Sequence, residues 1–419
     1  MKKIVKFDIW SLVSLIFYAI LFPLPIYKQA NEALDVPLKI LQIVVLVMCI
    51  LICILLHMHI GIFEISSFLF CFVCVLINSF SKSNNMITIF GEIVFPIISS
   101  IFFFYIINIS IDNSIRYIGL YNKMVIFLNA ISMIVFRNGI VQSAVGASVS
   151  RSCWILGSKN NVVYSIPVIL LFLSYESMQN EKGKRKLLFW ILLLLLSVSF
   201  MGSKGVQFGQ GSSTAILMMI IFLLCFLLFW IDKYDSLYRF INIRTIAILS
   251  IFVMFLLAWA CSNMYDNGLL GKLTDILGKD ITFSGRSTVW SSCLKQFISN
   301  PIYGSGEAGN YYLYNSMYMK TSNEYSFWLY ILVRYGMIGL CFFGLVVLCS
   351  DKNIYRDLSY YCRVLFMIIM ISGLVDIPNF EAIELVLIFS IGQMPRKCVE
   401  WRNGCYYSER KPCEYSRTE

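Results

Sequence analysis

Several basic residues lie in short polar segments between long apolar stretches of this sequence. Arg286 stands in the motif SGR-x-x-x-W, and the apolar residues that follow it recur at helical spacing. Lys204 lies in the segment GSKG, whose glycines let backbone N–H groups approach an anion closely. An arginine at a helix N-terminus is suited to bind phosphate. We therefore expect an anion site that includes Arg286 and Lys204, and we note two more basic residues, Arg151 and Lys159, in the polar segment 137–161.

A few charged residues fall inside the apolar stretches themselves. Most lie within two turns of an edge, where snorkelling or packing within a helix bundle accounts for them. Arg334 lies about two turns into its stretch, and we expect its side chain to point into a cavity rather than into lipid. The charged residues inside apolar stretches are Glu64, Glu92, Lys123, Arg334, Asp376 and Glu384.

The apolar stretches have the length of membrane-spanning helices. Of the 419 residues, 58% are hydrophobic and 14% charged, and the mean hydropathy is +0.75. Soluble proteins carry about 25% charged residues, so this chain could not cover a surface exposed to water. Solid apolar blocks of nearly ~20 residues are typical of transmembrane helices and lack the alternation of a β-barrel. We predict an all-α polytopic integral membrane protein with about 12 transmembrane helices.

The predicted spans surround one large loop. No small-residue cleavage site follows the first span, so we expect it to stay uncleaved. The domain prediction is transmembrane helices 1 to 9 in 1–263, a large extracytoplasmic loop at 264–324, helices 10 to 12 in 325–394 and a basic cytoplasmic tail at 395–419. The predicted spans are 9–26, 38–56, 60–80, 86–109, 117–136, 162–175, 187–201, 214–231, 245–263, 325–349, 364–375 and 382–393.

Lysine and arginine residues are distributed unevenly between the two sides of these spans. With twelve spans both termini share a side, and that side receives the N-terminal lysines, the cluster 182–186 and the basic tail. By the positive-inside rule this side is cytoplasmic, and the large loop lies outside. The net charge of +10 is therefore an orientation signal. We expect no nucleic-acid partner, because no basic patch lies on a soluble domain.

Most of the cysteines lie within predicted spans, where they behave as small apolar residues. Cys153 and Cys293 lie in predicted outer segments, and the sequence leaves open whether they form a disulfide. A tyrosine-rich stretch at 311–318 suits sugar faces, but tyrosines also form the interfacial belt of membrane proteins.

Five motifs together resemble one family. SGR-x-x-x-W at 284–290, NP-x-x-G-x-G at 300–306 and YGMIGL at 335–340 look like the Wzy-class polysaccharide polymerases and the related O-antigen ligases. GSKG at 202–205 and WILGSKNN at 154–161 are similar to two upstream segments of the family, although lysine replaces the usual arginine in GSKG. The resemblance extends from about residue 151 to residue 340, and the first five spans match only in hydropathy.

The resemblance implies a GT-C-like fold and a glycosyltransferase that polymerises lipid-linked oligosaccharide repeat units into O-antigen or capsular polysaccharide. The donor would be a glycan on undecaprenyl diphosphate, and the acceptor a hydroxyl of the next lipid-linked unit, at the outer face of the bacterial cytoplasmic membrane. A chain-length regulator is a further implied partner. The expected diphosphate ligands are Arg286, Arg151 and Lys204, followed by Lys159 and Arg334.

Metal ions are not needed in this scheme. Diphosphate is a good leaving group, and basic side chains can stabilise its developing charge. No Asp-x-Asp motif lies on the predicted outer side. We expect a metal-independent enzyme without a cofactor.

The expected catalytic base separates two branches of the family. The ligases carry a His-Asn pair where this chain has Tyr and Ser at 325–326, and its two histidines, His57 and His59, fall at a predicted cytoplasmic turn. This departure favours a polymerase and leaves Glu324 as the first candidate base and Glu307 as the second. A solvated carboxylate at a helix N-terminus, where the dipole favours negative charge, is an equally consistent interpretation of Glu324.

Other functions stay open. A flippase or exporter of the same lipid-linked sugar also fits twelve spans, although the sequence shows no internal repeat and its outer segments are asymmetric. An O-antigen ligase and a non-catalytic scaffold are further alternatives. Each basic residue could also contact lipid headgroups instead of a substrate.

Overall fold

The computed structural model describes the chain in separate stretches. Glu307, the tyrosine-rich stretch 311–318 and the tail 395–419 lie outside the described residues, together with most of the large loop. The described residues are 8–30, 32–81, 86–145, 149–177, 181–202, 204–207, 211–231, 242–262, 286–306, 324, 326–350, 356–374 and 380–391.

Apolar α-helices account for most of these residues. Six helices are long and apolar enough to cross a membrane, and four shorter apolar helices accompany them in the part of the chain that is described. Each predicted span overlaps a helix, so the prediction of an all-α polytopic membrane protein is confirmed. The helices are α1 (Ile9–Leu21), α2 (Pro25–Ala30), α3 (Glu32–Leu55), α4 (Ile62–Ser79), α5 (Met86–Ile109), α6 (Ile111–Val135), α7 (Val162–Ser177), α8 (Glu181–Phe200), α9 (Ser213–Ile231), α10 (Ile243–Ser262), α11 (Arg286–Ser299), α12 (Phe327–Cys349), α13 (Arg356–Gly373) and α14 (Phe380–Ile391).

Proline changes the course of two predicted spans. The first predicted span, 9–26, is interrupted after Leu21, because a proline disfavours helical backbone in the residue before it. Pro23 and Pro25 follow the break, and α2 starts at Pro25. Within α5, the segment Phe90–Val94 forms a π-helical turn ahead of Pro96.

A small antiparallel sheet joins α6 to α7, where the sequence predicted only a polar segment. Its strands are β1 (Val141–Val145), β2 (Val149–Trp154) and β3 (Gly157–Ser158), in the spatial order β1-β2-β3. Val141 lies opposite Cys153, and Trp154 lies opposite Gly157. The sheet packs against α2.

The helices differ in how far they are buried. α14 is buried along almost its whole length, and its Phe380 packs against rings of α4 and α12. In the apolar stretch of α12 56% of the residues are buried, whereas in that of α3 22% are buried. Because a membrane helix exposes apolar side chains to lipid tails, α12 and α14 form the centre of the bundle and α3 its edge.

α1 and α6 run parallel and are joined by polar contacts. Ser114 Oγ donates to Ser14 Oγ at 3.1 Å, and Tyr18 Oη donates to Asn122 Oδ1 at 3.0 Å. Small and polar side chains of this kind let membrane helices approach closely and hold them in register.

Candidate functional site

α12 carries the central basic residue of the site, Arg334, next to a break in the helix. Gly336 has φ 61° and ψ −160°, a conformation that is essentially restricted to glycine. A Cβ atom on Gly336 would collide with the carbonyl oxygen of Ile302. The break removes helical hydrogen bonds around Arg334, and backbone groups at membrane depth need other partners.

The motif NP-x-x-G-x-G supplies those partners. We call residues 300–306 the NPG loop; it enters the break in α12 and pairs with both half-helices. Gly304 takes φ 69° and lies against the Arg334 backbone, where a side chain would not fit. The motif and the pair Tyr335–Gly336 of α12 therefore form one structural unit. The backbone hydrogen bonds are Ser305 N–H to Val333 O (2.8 Å), Gly306 N–H to Arg334 O (2.8 Å), Met337 N–H to Pro301 O (2.9 Å) and Ile338 N–H to Ile302 O (3.2 Å).

The Arg334 side chain binds two carboxylates. Its Nε donates to Glu324 Oε1 at 2.8 Å, and its Nη1 donates to Glu92 Oε2 at 3.1 Å. Tyr330 Oη donates to the same oxygen of Glu92 at 3.0 Å, and the Tyr330 ring lies 4.2 Å from the guanidinium carbon. Arg334 thus points into the bundle rather than into lipid, and two carboxylates surround it where we expected a cavity. We call Glu92, Glu324, Tyr330 and Arg334 the Arg334 cluster.

The two carboxylates of the cluster differ in their access to solvent. The side chain of Glu324 is 0% exposed and that of Arg334 is 2% exposed, whereas Glu92 is 48% exposed. The interpretation of Glu324 as a solvated carboxylate is therefore wrong, because the chain folds it onto Arg334. In this arrangement Glu92 is the carboxylate that the protein leaves partly uncovered.

Glu92 was assigned to snorkelling or bundle packing from the sequence, which missed its contact with Arg334. It lies in the π-helical turn Phe90–Val94, four residues before Pro96. Proline has no N–H for the Glu92 carbonyl, and its ring crowds that carbonyl, so the helix widens at this point. π-turns of this kind are frequent at functional sites. An acidic residue four positions before a proline inside a span is the signal that could have identified Glu92.

α11 packs beside this cluster and begins at Arg286. The helix starts at Arg286 and ends before Pro301, as the spacing predicted, and Val289, Trp290 and Cys293 form its buried face. It packs against α10 and α12, and Gln296 Nε2 donates to Ser305 Oγ of the NPG loop at 2.7 Å. Arg286 is partly exposed at the N-terminus of α11.

The thiol of Cys293 on α11 lies close enough to Glu324 and Arg334 for both charges to change its pKa. Burial raises the pKa of the Cys293 thiol well above its ordinary value, the Glu324 carboxylate raises this pKa further, and Arg334 lowers it. A thiol of this kind stays neutral and unreactive at physiological pH. No disulfide joins Cys293 to Cys153 in this structure.

A second group contains the other predicted basic residues. Lys204 is exposed in the turn between Met201 and Val206, and the Val206 N–H donates to Arg137 O at 2.8 Å. Gly205 takes φ 142° beside the same carbonyl oxygen. The Val206 N–H is thus used inside the protein, whereas the Lys204 side chain of the same turn is exposed.

Arg151 and Lys159 belong to the small sheet. Arg151 lies on β2 opposite Ser143, and Lys159 follows β3, half-buried in the turn before α7. Trp154 anchors the segment between them, because its Nε1 donates to Phe136 O at 2.9 Å. The structure therefore brings Glu324 and Arg334 together directly, and Arg286 lies on a helix that packs against α12. Arg151, Lys159 and Lys204 belong to the region at the end of α6.

Metal binding has no site in the described part of the chain. Within these ranges, no group of three or more His, Cys, Asp or Glu side chains could hold a metal ion. Metal independence of the reaction stays a prediction.

Comparison with known proteins gives one match. The family model described as O-antigen ligase matches residues 199–344, which is roughly a third of the chain. Comparison with curated proteins and with solved structures gives no match. The matched segment contains the GSKG turn, α11, the NPG loop and Arg334, and it ends within α12. Residues 199–344 are thus similar to the O-antigen ligase family, which supports the resemblance to the O-antigen polymerase and ligase superfamily.

Proposed function

We propose that the chain is a polymerase for undecaprenyl-diphosphate-linked oligosaccharide repeat units, acting at the outer face of the bacterial cytoplasmic membrane. The product is O-antigen or capsular polysaccharide, and a chain-length regulator is the expected partner. The observation that supports this most is the Arg334 cluster, in which residues of the matched segment hold an exposed carboxylate, Glu92. A glycosyl transfer between two lipid-linked sugars needs such a base beside a cationic site.

The reaction assigns a role to each group of residues. The acceptor hydroxyl gives its proton to Glu92 while its oxygen bonds to the anomeric carbon of the donor. The bond from that carbon to undecaprenyl diphosphate breaks, and the electron pair leaves with the diphosphate. Arg286 at the N-terminus of α11 is the first ligand for the developing negative charge. Arg151, Lys159 and Lys204 are the further candidates for contact with the diphosphate or its lipid.

Glu324 and Arg334 act on Glu92 in this proposal. The Arg334 charge is already shared between two carboxylates, so we assign Arg334 to holding Glu92 rather than to binding diphosphate. Glu324, which is fully buried, fixes Arg334 in place. This modifies the expectation from the sequence, which gave the role of base to Glu324. Glu307 stays the second candidate base.

The positions of the histidines favour a polymerase over a ligase. His57 and His59 lie in the turn before α4, whereas Gly306 of the NPG loop lies against Ser81, after the other end of α4. α4 has 18 residues, which corresponds to a length of about 27 Å at 1.5 Å per residue. Neither histidine can therefore serve as a base at the Arg334 cluster.

The length distribution of surface polysaccharide on a gel tests the proposed function. Cells that lack the protein should carry lipid core with one repeat unit, and the intact chain should restore the ladder. Arg286→Ala should leave single units, because the leaving diphosphate loses its ligand. Arg185→Ala, at an exposed position of the basic cluster 182–186, is the matched control and should keep the ladder.

The same gel separates the alternatives. If cells lacking the protein carry no repeat unit on the surface at all, the missing step is transport or ligation, and the polymerase proposal is wrong. An unchanged ladder in Arg286→Ala would remove Arg286 from the site.

A further inference from the structure

A cavity outside the Arg334 cluster lies between α1, α6, α7 and the start of α14. Its volume is about 260 Å³. At ~30 Å³ per water molecule this is room for about nine waters, or for one ligand the size of a monosaccharide. The lining residues that offer polar groups or aromatic rings are Tyr18, Tyr121, Asn122, Asn161, Tyr164, Ser165 and Glu381.

Asn122 is one of the lining residues, and one of its buried polar atoms has no partner. The residue is 2% exposed, and its Oδ1 accepts the hydrogen bond from Tyr18. Its Nδ2 has no hydrogen-bond partner among the described residues. Reversing the amide would exchange the two atoms and still leave one of them unsatisfied. Because buried polar groups in native proteins are almost always paired, the orphan donor of this lining residue is a candidate partner for an acceptor bound in the cavity.

The chemistry of the wall indicates the class of ligand. Tyrosine rings offer apolar faces with polar tips, and the amides, Ser165 and Glu381 offer hydrogen bonds in several directions. Among the described residues that line the cavity none is basic, so a diphosphate would find no counter-charge there. An alkyl chain would leave Asn122 Nδ2 unsatisfied. A neutral ring rich in hydroxyl groups satisfies both conditions.

The position of the cavity connects it to the proposed reaction. Glu381 follows Phe380, whose ring packs against Tyr330 of the Arg334 cluster with centroids 6.2 Å apart. Asn161 ends the WILGSKNN segment, whose Trp154 is anchored to the end of α6. The wall of the cavity thus includes Asn161, a residue of this motif to which we assigned no role in binding the diphosphate.

We propose that this cavity binds one sugar unit of the lipid-linked oligosaccharide, with Asn122 Nδ2 donating to a ring hydroxyl. The site lies apart from the diphosphate ligands and fixes which repeat unit the protein accepts. The inference rests on the proposed function, because that function supplies the oligosaccharide as substrate.

Binding of the oligosaccharide without its lipid tests the site. The probe is the repeat unit released from undecaprenyl diphosphate by mild acid, titrated calorimetrically into the full chain in nanodiscs. Asn122→Leu should weaken binding about tenfold, the effect of one lost hydrogen bond. The matched control is Asn108→Leu, which replaces another asparagine with unpaired polar atoms, outside the cavity, and should bind like the wild type.

A second variant covers the case in which Asn122→Leu fails to fold. Glu381→Gln keeps the shape of the side chain and lies on a different helix, and it should weaken binding several-fold. Unchanged affinity in these cavity variants would overturn the proposal. Displacement of the oligosaccharide by a polyprenyl phosphate without sugar would also overturn it, because a lipid would then occupy the cavity.

The binding assay and the gel can contradict the cavity proposal and the proposed function separately. If the ladder depends on Arg286 but binding ignores Asn122, the cavity proposal alone is wrong. If the gel excludes polymerisation while Asn122-dependent binding persists, the cavity is a sugar site in a protein of different function.

Discussion

Arg334 holds two carboxylates that differ in exposure, and this difference separates their roles. Glu324 is sealed from solvent together with Arg334, whereas Glu92 is half exposed on the other side of the guanidinium. Removing one partner of a buried ion pair costs about 3–5 kcal/mol, because the other charge is left uncompensated. We therefore expect the two glutamates to respond differently to the same substitution.

Glu92→Gln should abolish transfer while leaving the fold intact. The amide keeps the shape of the side chain but cannot accept the hydroxyl proton, and loss of a general base lowers rates by about 10²–10⁴-fold. The measurement is the rate of polymer formation by the purified variant, with its thermal unfolding as the control.

Glu324→Gln should instead lower stability. Its buried bond to Arg334 Nε becomes a bond to a neutral amide, and we expect a loss of about 3 kcal/mol, near the lower end of the range for breaking a buried pair. Thermal unfolding of Glu324→Gln and Glu92→Gln measures the difference in stability. Glu92→Gln is the matched control, because it makes the same change in the other carboxylate that binds Arg334. A stable but inactive Glu324→Gln together with an active Glu92→Gln would return the role of base to Glu324.

α12 consists of two half-helices that meet at Gly336, and the NPG loop forms hydrogen bonds with both of them. The backbone hydrogen bonds to the loop lie on both sides of Gly336, so the position of Arg334 depends on contacts between segments about 30 residues apart in sequence. The sequence predicted that Pro301 and Gly304 end α11, and this is confirmed. It could not predict that the loop enters α12, because local spacing carries no information about which distant carbonyls become available.

Gly336→Ala should disrupt this junction. A side chain at φ 61° is strained, and its Cβ would collide with the Ile302 carbonyl. We expect a loss of at least about 2 kcal/mol, with activity falling as Arg334 moves. Gly344→Ala is the control on the same helix, because nothing lies within 4 Å of its Cβ position. Equal stability of the two variants in thermal unfolding would show that the break does not depend on glycine.

The same limit applies to the other elements of the site. The spacing of Val289, Trp290 and Cys293 predicted α11 and its start at Arg286, because one face of a helix can be identified from periodicity. The β1–β3 sheet and the contact of Glu92 with Arg334 were missed. Both arise from pairing between separate segments, and the π-turn that aims Glu92 depends on Pro96.

At the scale of the whole molecule, hydropathy predicted the class of fold but not the arrangement of the bundle. Lipid-facing and core-facing side chains in a membrane are both apolar, so the sequence could not distinguish the peripheral α3 from the central α12 and α14. The ends of α4 and α11 meet the starts of α5 and α12 around the Arg334 cluster, and the ends of α6 and α8 meet at the GSKG turn. The positive-inside rule places both groups of helix ends outside.

Labelling from outside the cell should confirm this orientation. Lys295 is exposed on α11 and Arg185 is exposed near the start of α8. In a chain whose native cysteines are replaced, Lys295→Cys should react with a membrane-impermeant maleimide in intact cells. Arg185→Cys should react only after the membrane is permeabilised. The reverse pattern would place the Arg334 cluster in the cytoplasm, where undecaprenyl-linked glycans are not polymerised in this account.

The most direct test of the central claim uses the purified chain in liposomes with lipid-linked repeat units as its only substrate. We expect chains of two or more units, with one undecaprenyl diphosphate released for each bond formed. Arg286→Ala and Glu92→Gln should abolish both products. Release of lipid without longer glycans, or no reaction by a folded wild-type protein, would contradict the claim that this chain joins repeat units.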